Sequence, residues 1–284
     1  MLTNASEVED LEKIARRVRS HVIRVVHKAQ GGHIGGPLSA ADMLVALYFS
    51  VLNIDPLNPE WEDRDRFILS KGHSCLAQYA VMAERGYFPV SELDTFDAID
   101  SRLQGHPDMT KLPGLDMSSG SLGQGLSAGL GIALGCRLRG KQFRTFVMIG
   151  DGESQEGQVW EAAMIAARYQ LDNLVAILDY NKLQQYGWQG PQGILAPIED
   201  PRQKWEAFGW NVWEVDGHDI SAFIRVLAEA SQPDGRPNMI IAHTIKGKGV
   251  SFMENNFSWH ARVPTQSELN QALIELGNNP LGQA

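Results

Sequence analysis

The segment Thr145-Phe-Val-Met-Ile149-Gly150-Asp151-Gly152 decides the fold class of this 284-residue chain. Its apolar residues run without a break and end at a glycine-flanked aspartate, which is typical of a buried strand that leads into a loop. The segment Leu174-Val-Ala-Ile-Leu178 repeats the pattern and ends at Asp179-Tyr180-Asn181. A helical pattern over 158–169 separates the two runs. Short apolar strands that alternate with helices predict a parallel sheet covered on both faces.

The rest of the chain extends this alternation. Apolar residues at helical spacing predict helices over 8–29, from Ser39 onward, and over 76–85, 126–138 and 220–230. Short apolar runs predict further strands over 66–69, 211–215 and 238–242. Residues 100–125 lack periodicity and are rich in glycine and proline, so they predict a long functional loop. We therefore expect an α/β fold: a single domain over 1–284 whose short tail, from about 264, has one helix and a frayed end.

Composition and charge narrow the classes of function. Acidic residues outnumber basic ones, 34 to 25, and the formal net charge of −9 disfavours a broad nucleic-acid-binding surface. We expect neither a membrane span nor a signal peptide, because the sequence has no run of about 18 apolar residues and no apolar centre near its start. Cys75 and Cys136 lack a CxxC partner, which excludes a disulfide scaffold and a cysteine-built zinc site. The expected location is the cytoplasm.

Polar residues follow three of the predicted strands. Ser70-Lys-Gly-His73, Asp151 and Asn181 each come directly after or just beyond an apolar run. Ligands of an open parallel sheet bind beyond the carboxyl ends of its strands, so we expect these segments to form one site. Carboxylate and amide oxygens suit magnesium or calcium. The alternative is that Asp151 and Asn181 are ordinary turn residues.

Two further loop features indicate a ligand site. Residues 120–128 contain the pattern G-x-G-x-x-A, but no predicted strand precedes it. We interpret it as a glycine-rich loop and helix N-terminus that approaches a flat ligand or another chain, or as tight helix packing. Loops rich in glycine, serine or proline also contain four histidines, which can bond anions or hydroxyls and carry protons: His33, His73, His106 and His260. A histidine zinc site is disfavoured because neither HxxxH nor HExxH occurs.

Taken together, these segments resemble the N-terminal, diphosphate-binding part of transketolase, a family of thiamine diphosphate enzymes. The matching stretches occur in the family order over roughly residues 10–262 and are Gly32-His-Ile-Gly-Gly-Pro-Leu-Ser39, Leu69-Ser-Lys-Gly-His73, Gly105-His-Pro107, Ser119-Gly-Ser-Leu-Gly-Gln-Gly125, Gly150-Asp-Gly-Glu-Ser-Gln-Glu-Gly157 and Asp179-Tyr-Asn-Lys182. One such motif is weak evidence, whereas the ordered set is specific. The resemblance implies the thiamine diphosphate-binding fold.

The resemblance also implies roles for individual residues. The ligands of magnesium, or of Ca2+ or Mn2+ in its place, are Asp151, the Asn181 side chain and the Leu183 carbonyl. Cofactor-binding positions, near the diphosphate or the rings, are His73, Gly120, Leu122, Gly152, Asn181 and His260. Positions that bind the sugar's C1 and C2 oxygens or move protons are His33, His106 and His260. Glu156 corresponds to a carboxylate that bonds across the dimer to the glutamate touching the aminopyrimidine.

Two more expectations follow from the resemblance. Gln185 stands where the family usually has an aliphatic side chain against the thiazolium ring, so the ring packing or the loop register differs here. In the fused enzymes, the glutamate that activates the cofactor and the cations that hold a sugar phosphate belong to a pyrimidine-binding and a C-terminal domain. We therefore expect the N-terminal subunit of a split transketolase, which transfers a two-carbon ketol unit only with a partner chain, in a heterotetramer.

Several alternatives stay open. The alpha subunit of a 2-oxo acid dehydrogenase first component has the same module around Asp151 and Asn181, although the histidine loops favour transketolase. A split transketolase with an unusual acceptor, such as a branched or sulfonated sugar or a carrier-bound acyl group, fits equally. A non-catalytic scaffold is disfavoured because the candidate site residues are all present. A nicotinamide-dependent oxidoreductase is disfavoured because no predicted strand precedes Gly123.

Overall fold

The five predicted apolar runs form one parallel sheet in the computed structural model, which describes residues 5–190 and 193–277. A separate antiparallel hairpin follows the third strand. The strands are, in chain order, β1 (Arg66–Leu69), β2 (Thr145–Gly150), β3 (Leu174–Tyr180), the hairpin strands β4 (Trp188–Gly190) and β5 (Gly193–Leu195), β6 (Asn211–Asp216) and β7 (Asn238–His243).

The order of the sheet strands is β1-β2-β3-β7-β6, and every neighbouring pair is parallel. Gly150 at the end of β2 is paired with Asp179 of β3, which in turn is paired with Ala242 of β7. The carboxyl ends of these strands therefore meet at one edge of the sheet. This confirms the expected convergence of the segments that follow β1, β2 and β3.

Helices cover both faces of the sheet. They are α1 (Ala5–Ala29), α2 (Gly35–Ala46), α3 (Cys75–Arg85), α4 (Gln124–Leu138), α5 (Gly157–Arg168), α6 (Pro201–Ala207), α7 (Ile220–Ala230) and α8 (Gln266–Glu275). Successive residues of a strand point to opposite faces, so Phe146 and Met148 join the core under α1, α2, α3 and α7, while Val147 and Ile149 join the core under α4, α5 and α6. The predicted fold class is confirmed.

Some predicted boundaries are wrong. α2 begins at Gly35 rather than Ser39, because Pro37 lies in the first turn, where a helix tolerates a residue without an N–H. β3 continues to Tyr180, so Asp179 is a strand residue and not part of the following loop. The hairpin and α6 were not predicted, since the strands of the hairpin have only three residues each. Residues 96–123 contain no helix or strand, as the long-loop prediction requires.

The C-terminal tail contains the predicted helix. α8 begins with a capping box, in which the Thr265 hydroxyl accepts from the backbone of Glu268 and the Glu268 side chain accepts from the backbone of Thr265. The predicted frayed end falls on 278–284, outside the described residues, and the single-domain count stays a prediction. Over 5–190 and 193–277, no helix is long and apolar enough to cross a membrane.

Candidate active site

The predicted site residues line one cleft of about 380 Å³ at the carboxyl edge of the sheet. The fold brings them together from separate loops and strand ends, and they are His33, His73, His106, Gly120, Leu122, Asp151, Gly152, Glu156, Asn181, Leu183 and His260. The arrangement has a polar floor at the strand ends and a ring of histidines on one wall.

Four histidine rings form that wall. The ring centroid of His33 lies 5.1 Å from those of His73 and His260 and 6.1 Å from that of His106. The rings of His73 and His260 are 5.2 Å apart. At these distances, one small hydroxylated molecule can contact several imidazoles at once. The other histidines lie outside the cleft, bonded to Glu84, to the Pro264 carbonyl, to Asp42 or to Glu214.

Burial keeps three of these imidazoles neutral, those of His33, His73 and His260. It lowers the pKa of His33 to about 4, with His106 and Lys246 adding repulsion. It lowers the pKa of His260 to about 3 and that of His73 to about 2, next to Lys246 and Lys71 respectively. A neutral imidazole has one donor and one acceptor nitrogen, so it can hold a hydroxyl and exchange a proton with it.

The cleft also contains the predicted metal ligands. Asp151 is 2% exposed, and its carboxylate accepts from the N–H groups of Gly152 at 2.8 Å and Lys182 at 2.5 Å. The Asn181 Oδ1 accepts from the N–H of Leu183 at 3.1 Å. Burial, with repulsion from Asp179, raises the pKa of Asp151 to about 7. Burying this carboxylate therefore has a desolvation cost that a bound cation would offset.

A buried ion pair at the cleft, one partner of which lines it, was missed by the sequence reasoning. Lys71 is bonded to Asp179, and the two side chains are 2% and 0% exposed. The Asp179 carboxylate also accepts from the hydroxyls of Ser39, at 2.6 Å, and Thr244. The sequence did contain a signal for this pair. A lysine and an aspartate each lie at an apolar strand, and charges in such buried places are usually paired.

Lys246 is a second missed residue and lines the cleft directly. Its ammonium donates to the carbonyl of Gln184 at 3.0 Å, lies 3.4 Å from the carbonyl of Leu183 and contacts His260 Nδ1 at 3.0 Å. Burial lowers the pKa of Lys246 to about 8. It thus brings a positive charge next to the Leu183 carbonyl and the histidine wall. Its only sequence signal was its place three residues beyond β7.

Two glycines of the cleft lie close to side chains of neighbouring segments. A Cβ at Gly120, whose φ is +150°, would lie 2.9 Å from the ring of His106. A Cβ at Gly152 would lie 3.1 Å from the side chain of Gln184. Gln185, the departure from the family pattern, is exposed and lines the cleft beside Gln184.

The mouth of the cleft is formed by Leu122 and Glu156. Both side chains are exposed, and they lie where α4 and α5 begin. No group of three or more His, Cys, Asp or Glu with metal-binding geometry occurs in the described part of the chain. Both cysteines are free and buried.

Comparison with known proteins agrees with this geometry. Residues 11–283 match the family described as transketolase, thiamine diphosphate binding domain. The chain is 44% identical, over 94% of its length and 96% of the relative's, to the 6-deoxy-6-sulfo-D-fructose transketolase subunit of Clostridium sp. (strain MSTE9). It is 40% identical to an apulose-4-phosphate transketolase subunit of Phocaeicola vulgatus, over 95% of each chain.

Solved structures show the same fold. A transketolase from Pichia stipitis superposes with a TM-score of 0.89 at 31% identity, over 95% of this chain and 41% of the solved one. The transketolase of Campylobacter jejuni gives a TM-score of 0.88 at 28% identity, over 96% of this chain and 43% of the solved one. The chain thus spans less than half of these larger enzymes.

The chain belongs to the transketolase family and contains its thiamine diphosphate-binding domain. More particularly, it is the N-terminal subunit of a two-chain transketolase, like the two subunits to which it is 40–44% identical. These matches decide against the 2-oxo acid dehydrogenase alternative and confirm the resemblance seen in the ordered motifs.

Proposed function

We propose that this chain, with a partner subunit, transfers a two-carbon ketol unit from a ketose phosphate to an aldose acceptor. The observation that carries the proposal is one cleft that four clustered histidines line together with Asp151 and Asn181. When bound, thiamine diphosphate supplies the carbon centre that takes up the ketol unit. The chain's own residues bind, orient and exchange protons.

A divalent cation fits the oxygen donors at the strand ends. We assign Asp151, the Asn181 side chain and the Leu183 carbonyl as ligands of Mg2+, because all three are hard oxygen donors on one side of the cleft. Mg2+ usually takes its other ligands from phosphate and water, so few protein donors are needed. A bound cation would stabilise the ionised form of the buried Asp151 most, since burial and repulsion from Asp179 raise the pKa of this carboxyl to about 7.

The other cleft residues divide between cofactor and sugar. We assign His73, Gly152 and His260 to the diphosphate, Asn181 to both the cofactor and the metal, and Gly120 and Leu122 to the cofactor's rings. We assign His33, His106 and His260 to the C1 and C2 oxygens of the sugar, where a neutral imidazole can accept or donate a proton. Glu156 is assigned to a hydrogen bond with the partner's catalytic carboxylate.

The proposed docking site of the partner is an uncovered apolar surface on the two helices that begin at the cleft. We name the outer side of α4 and α5 the α4–α5 face, and define it by Leu138, Met164, Ile165 and Tyr169, which are 44–80% exposed. Large exposed apolar patches mark interaction sites. Leu122 and Glu156, at the mouth of the cleft, lie where the same two helices begin. We infer that a chain with a pyrimidine-binding and a C-terminal domain docks here, in a heterotetramer.

The names of the relatives supply a second candidate substrate. The two relatives at 40–44% identity are named for 6-deoxy-6-sulfo-D-fructose and for apulose 4-phosphate. A sulfonated or branched sugar is therefore the second candidate for the substrate of this chain, and both candidates use the same ketol transfer.

The test is a ketol-transfer assay with thiamine diphosphate and Mg2+. The chain is assayed alone and with the product of the neighbouring gene, using xylulose 5-phosphate and 6-deoxy-6-sulfofructose as donors and a panel of aldehydes as acceptors. We expect activity only in the pair. Activity of the lone chain would contradict the partner requirement, and a pair that instead decarboxylates a 2-oxo acid would contradict ketol transfer.

The metal assignment has its own test. Asp151→Ala should abolish Mg2+-dependent binding of thiamine diphosphate to the two-subunit complex, measured by calorimetry, because it removes the only charged ligand of the set. Asp94→Ala, which removes an exposed carboxylate paired with Lys28, is the matched control and should bind normally. Normal binding by the Asp151 variant would overturn the assignment.

A further inference from the structure

One buried carboxylate links three of the loops that form the cleft. Glu153, in the turn after β2, is 2% exposed. Its Oε1 accepts from the Ser70 hydroxyl and, at 2.8 Å, from the N–H of Gly123, and its Oε2 accepts from the N–H of Gly150 at 3.1 Å. The Ser70 oxygen in turn accepts from the N–H of Gly125 at 3.1 Å. Glu153 therefore joins the loop after β1, the start of α4 and the end of β2.

These contacts also complete the N-terminus of α4. The first N–H groups of a helix have no partner within it, and a side chain at the N-cap usually satisfies one of them. The N-cap of α4 is Gly123, which has no side chain and a φ of +84°. Glu153 and Ser70 cap the helix from distant segments instead, and a carboxylate is favoured at this end by the helix dipole.

The start of α4 packs closely against Ser70 and Glu156 where these hydrogen bonds form. A Cβ at Gly125 would lie 2.3 Å from the Ser70 Oγ, and a Cβ at Gly123 would lie 2.7 Å from the Cβ of Glu156. The Gly-x-Gly pattern at 123–125 thus lets the helix start approach Ser70 and Glu156 closely. A pattern that looks like a phosphate-binding fingerprint has a packing reason here.

Each linked loop carries residues that we assign to the cofactor. The loop after β1 carries His73, the loop before α4 carries Gly120 and Leu122, and the end of β2 leads to Asp151. We propose that Glu153 is a positioning residue that holds these three loops in the cofactor-binding arrangement before the cofactor binds. The identity of the cofactor rests on the proposed function, whereas the ordering of the loops by Glu153 does not.

Glu153→Gln tests the link without changing the size of the side chain. The carboxylate accepts from three donors, but an amide has one acceptor oxygen and an NH2 group that donates. In either orientation, at least one N–H or O–H of the set then faces another donor. We expect amide hydrogen exchange in the full chain, without cofactor, to become at least tenfold faster over 118–125 or over 149–152, and to stay unchanged over 211–230.

Two serine variants make the test specific. Ser70→Ala removes the hydroxyl shared by Glu153 and Gly125, so exchange should rise over 70–74 and 123–126 but not at Gly150. Ser154→Ala is the matched control, because it removes a buried hydroxyl that donates to the Gly150 carbonyl at 3.0 Å and is not among the hydrogen-bond partners of the Glu153 carboxylate. It should leave 118–125 unchanged.

Binding and turnover complete the experiment. In the two-subunit enzyme, Glu153→Gln should raise the thiamine diphosphate concentration for half-maximal rate at least tenfold and leave kcat at saturating cofactor within about twofold. Faster exchange throughout the chain, or unchanged exchange over all three loops, would overturn the positioning role. Faster loop exchange with no ketol transfer by the wild-type pair would keep the loop ordering and reject the proposed function.

Discussion

Single residues of the cleft are constrained by contacts rather than by intrinsic preference. Gly125 and Gly131 lie on the same helix, α4, where glycine is by propensity a weak helix former. A Cβ at Gly125 would lie within 2.4 Å of two Ser70 side-chain atoms, whereas nothing lies within 4 Å of a Cβ at Gly131. The first glycine is therefore required by a close contact, and the second is not.

We predict opposite effects of alanine at these two positions. Gly125→Ala should lower the free energy of unfolding by about 1–3 kcal/mol, because the new methyl overpacks against Ser70. Gly131→Ala is the matched control and should raise it by about 0.5–1 kcal/mol, since alanine is the better helix former and the space is open. Urea denaturation of both variants measures the difference. Equal effects would contradict the close contact of α4 with Ser70.

The histidine wall predicts a pH dependence of stability. The pKa of His33 is about 4 and that of His260 about 3, against 6.5 for an ordinary histidine. Between these values the unfolded chain binds more protons than the folded one, so acid favours unfolding. The contribution of these histidines to the free energy of unfolding should be at its full value above pH 6.5 and fall steadily towards pH 4, whereas Asp151, whose pKa is raised to about 7, contributes in the opposite direction below pH 7. Denaturation from pH 7.5 to 5 measures it.

A histidine variant tests whether the histidine wall causes this pH dependence of stability. His33→Asn removes one of the titrating groups, so the slope of the unfolding free energy against pH should decrease between pH 6.5 and 5. The same slope in the variant would mean that other groups cause the acid sensitivity.

At the scale of elements, a buried charge cluster holds the helices on one face of the sheet. Arg19 of α1 binds Asp42 of α2 through two hydrogen bonds, at 2.5 and 3.0 Å, and donates to the Leu38 carbonyl. His218, before α7, accepts from the N–H of Ile245 with Nε2, so its Nδ1–H donates to Asp42 at 2.7 Å. Burial opposes ionisation, but Arg19 and His218 outweigh it and hold the pKa of Asp42 at about 2.

Breaking this cluster on one side should be costly. Arg19→Met leaves the Asp42 carboxylate buried with one partner, and we expect it to cost about 3–5 kcal/mol of unfolding free energy. Arg19→Met combined with Asp42→Leu removes both charges and should recover most of the loss, in urea denaturation. A single variant that costs less than about 1 kcal/mol would show that the pair is not needed to join α1 and α2.

At the scale of the whole molecule, one face of the sheet has a helix layer that remains partly uncovered. The α4–α5 face is 44–80% exposed at its large apolar residues, on two helices that begin at the mouth of the cleft. Met164→Asp should weaken association with the partner subunit at least tenfold, about 1.4 kcal/mol, by placing a charge in the interface. Ultracentrifugation of the purified pair measures this, with the unfolding midpoint of the lone chain unchanged.

Ile274→Asp is the control for this prediction. Ile274 is 60% exposed and lies on α8, which packs against α1 on the other side of the sheet. Ile274→Asp should leave association with the partner subunit unchanged. Equal weakening by both variants, or none by Met164→Asp, would place the partner elsewhere.

The sequence alone predicted the parallel α/β class and eleven of the residues that line the cleft, but not Lys71 or Lys246. Apolar runs such as 145–149 and 174–178 are too short for buried helices and favour strands buried on both faces, and polar residues beyond the ends of parallel strands then meet at one edge. The exposed hairpin and α6 could not be predicted, because short elements carry little periodic signal. The histidines were identifiable because all four lie in loops rich in glycine, serine or proline rather than on predicted helices or strands.

Only the tertiary structure decided which charges are buried and what they hold. Lys71 and Asp179 are 108 residues apart, and Glu153 bonds Ser70 across 83 residues, so no local pattern links them. No local pattern in the sequence indicates that Lys246 lines the cleft or that the α4–α5 face is exposed. Periodicity reports which way a side chain points, but pairing of buried charges depends on distances between segments that only the folded sheet brings together.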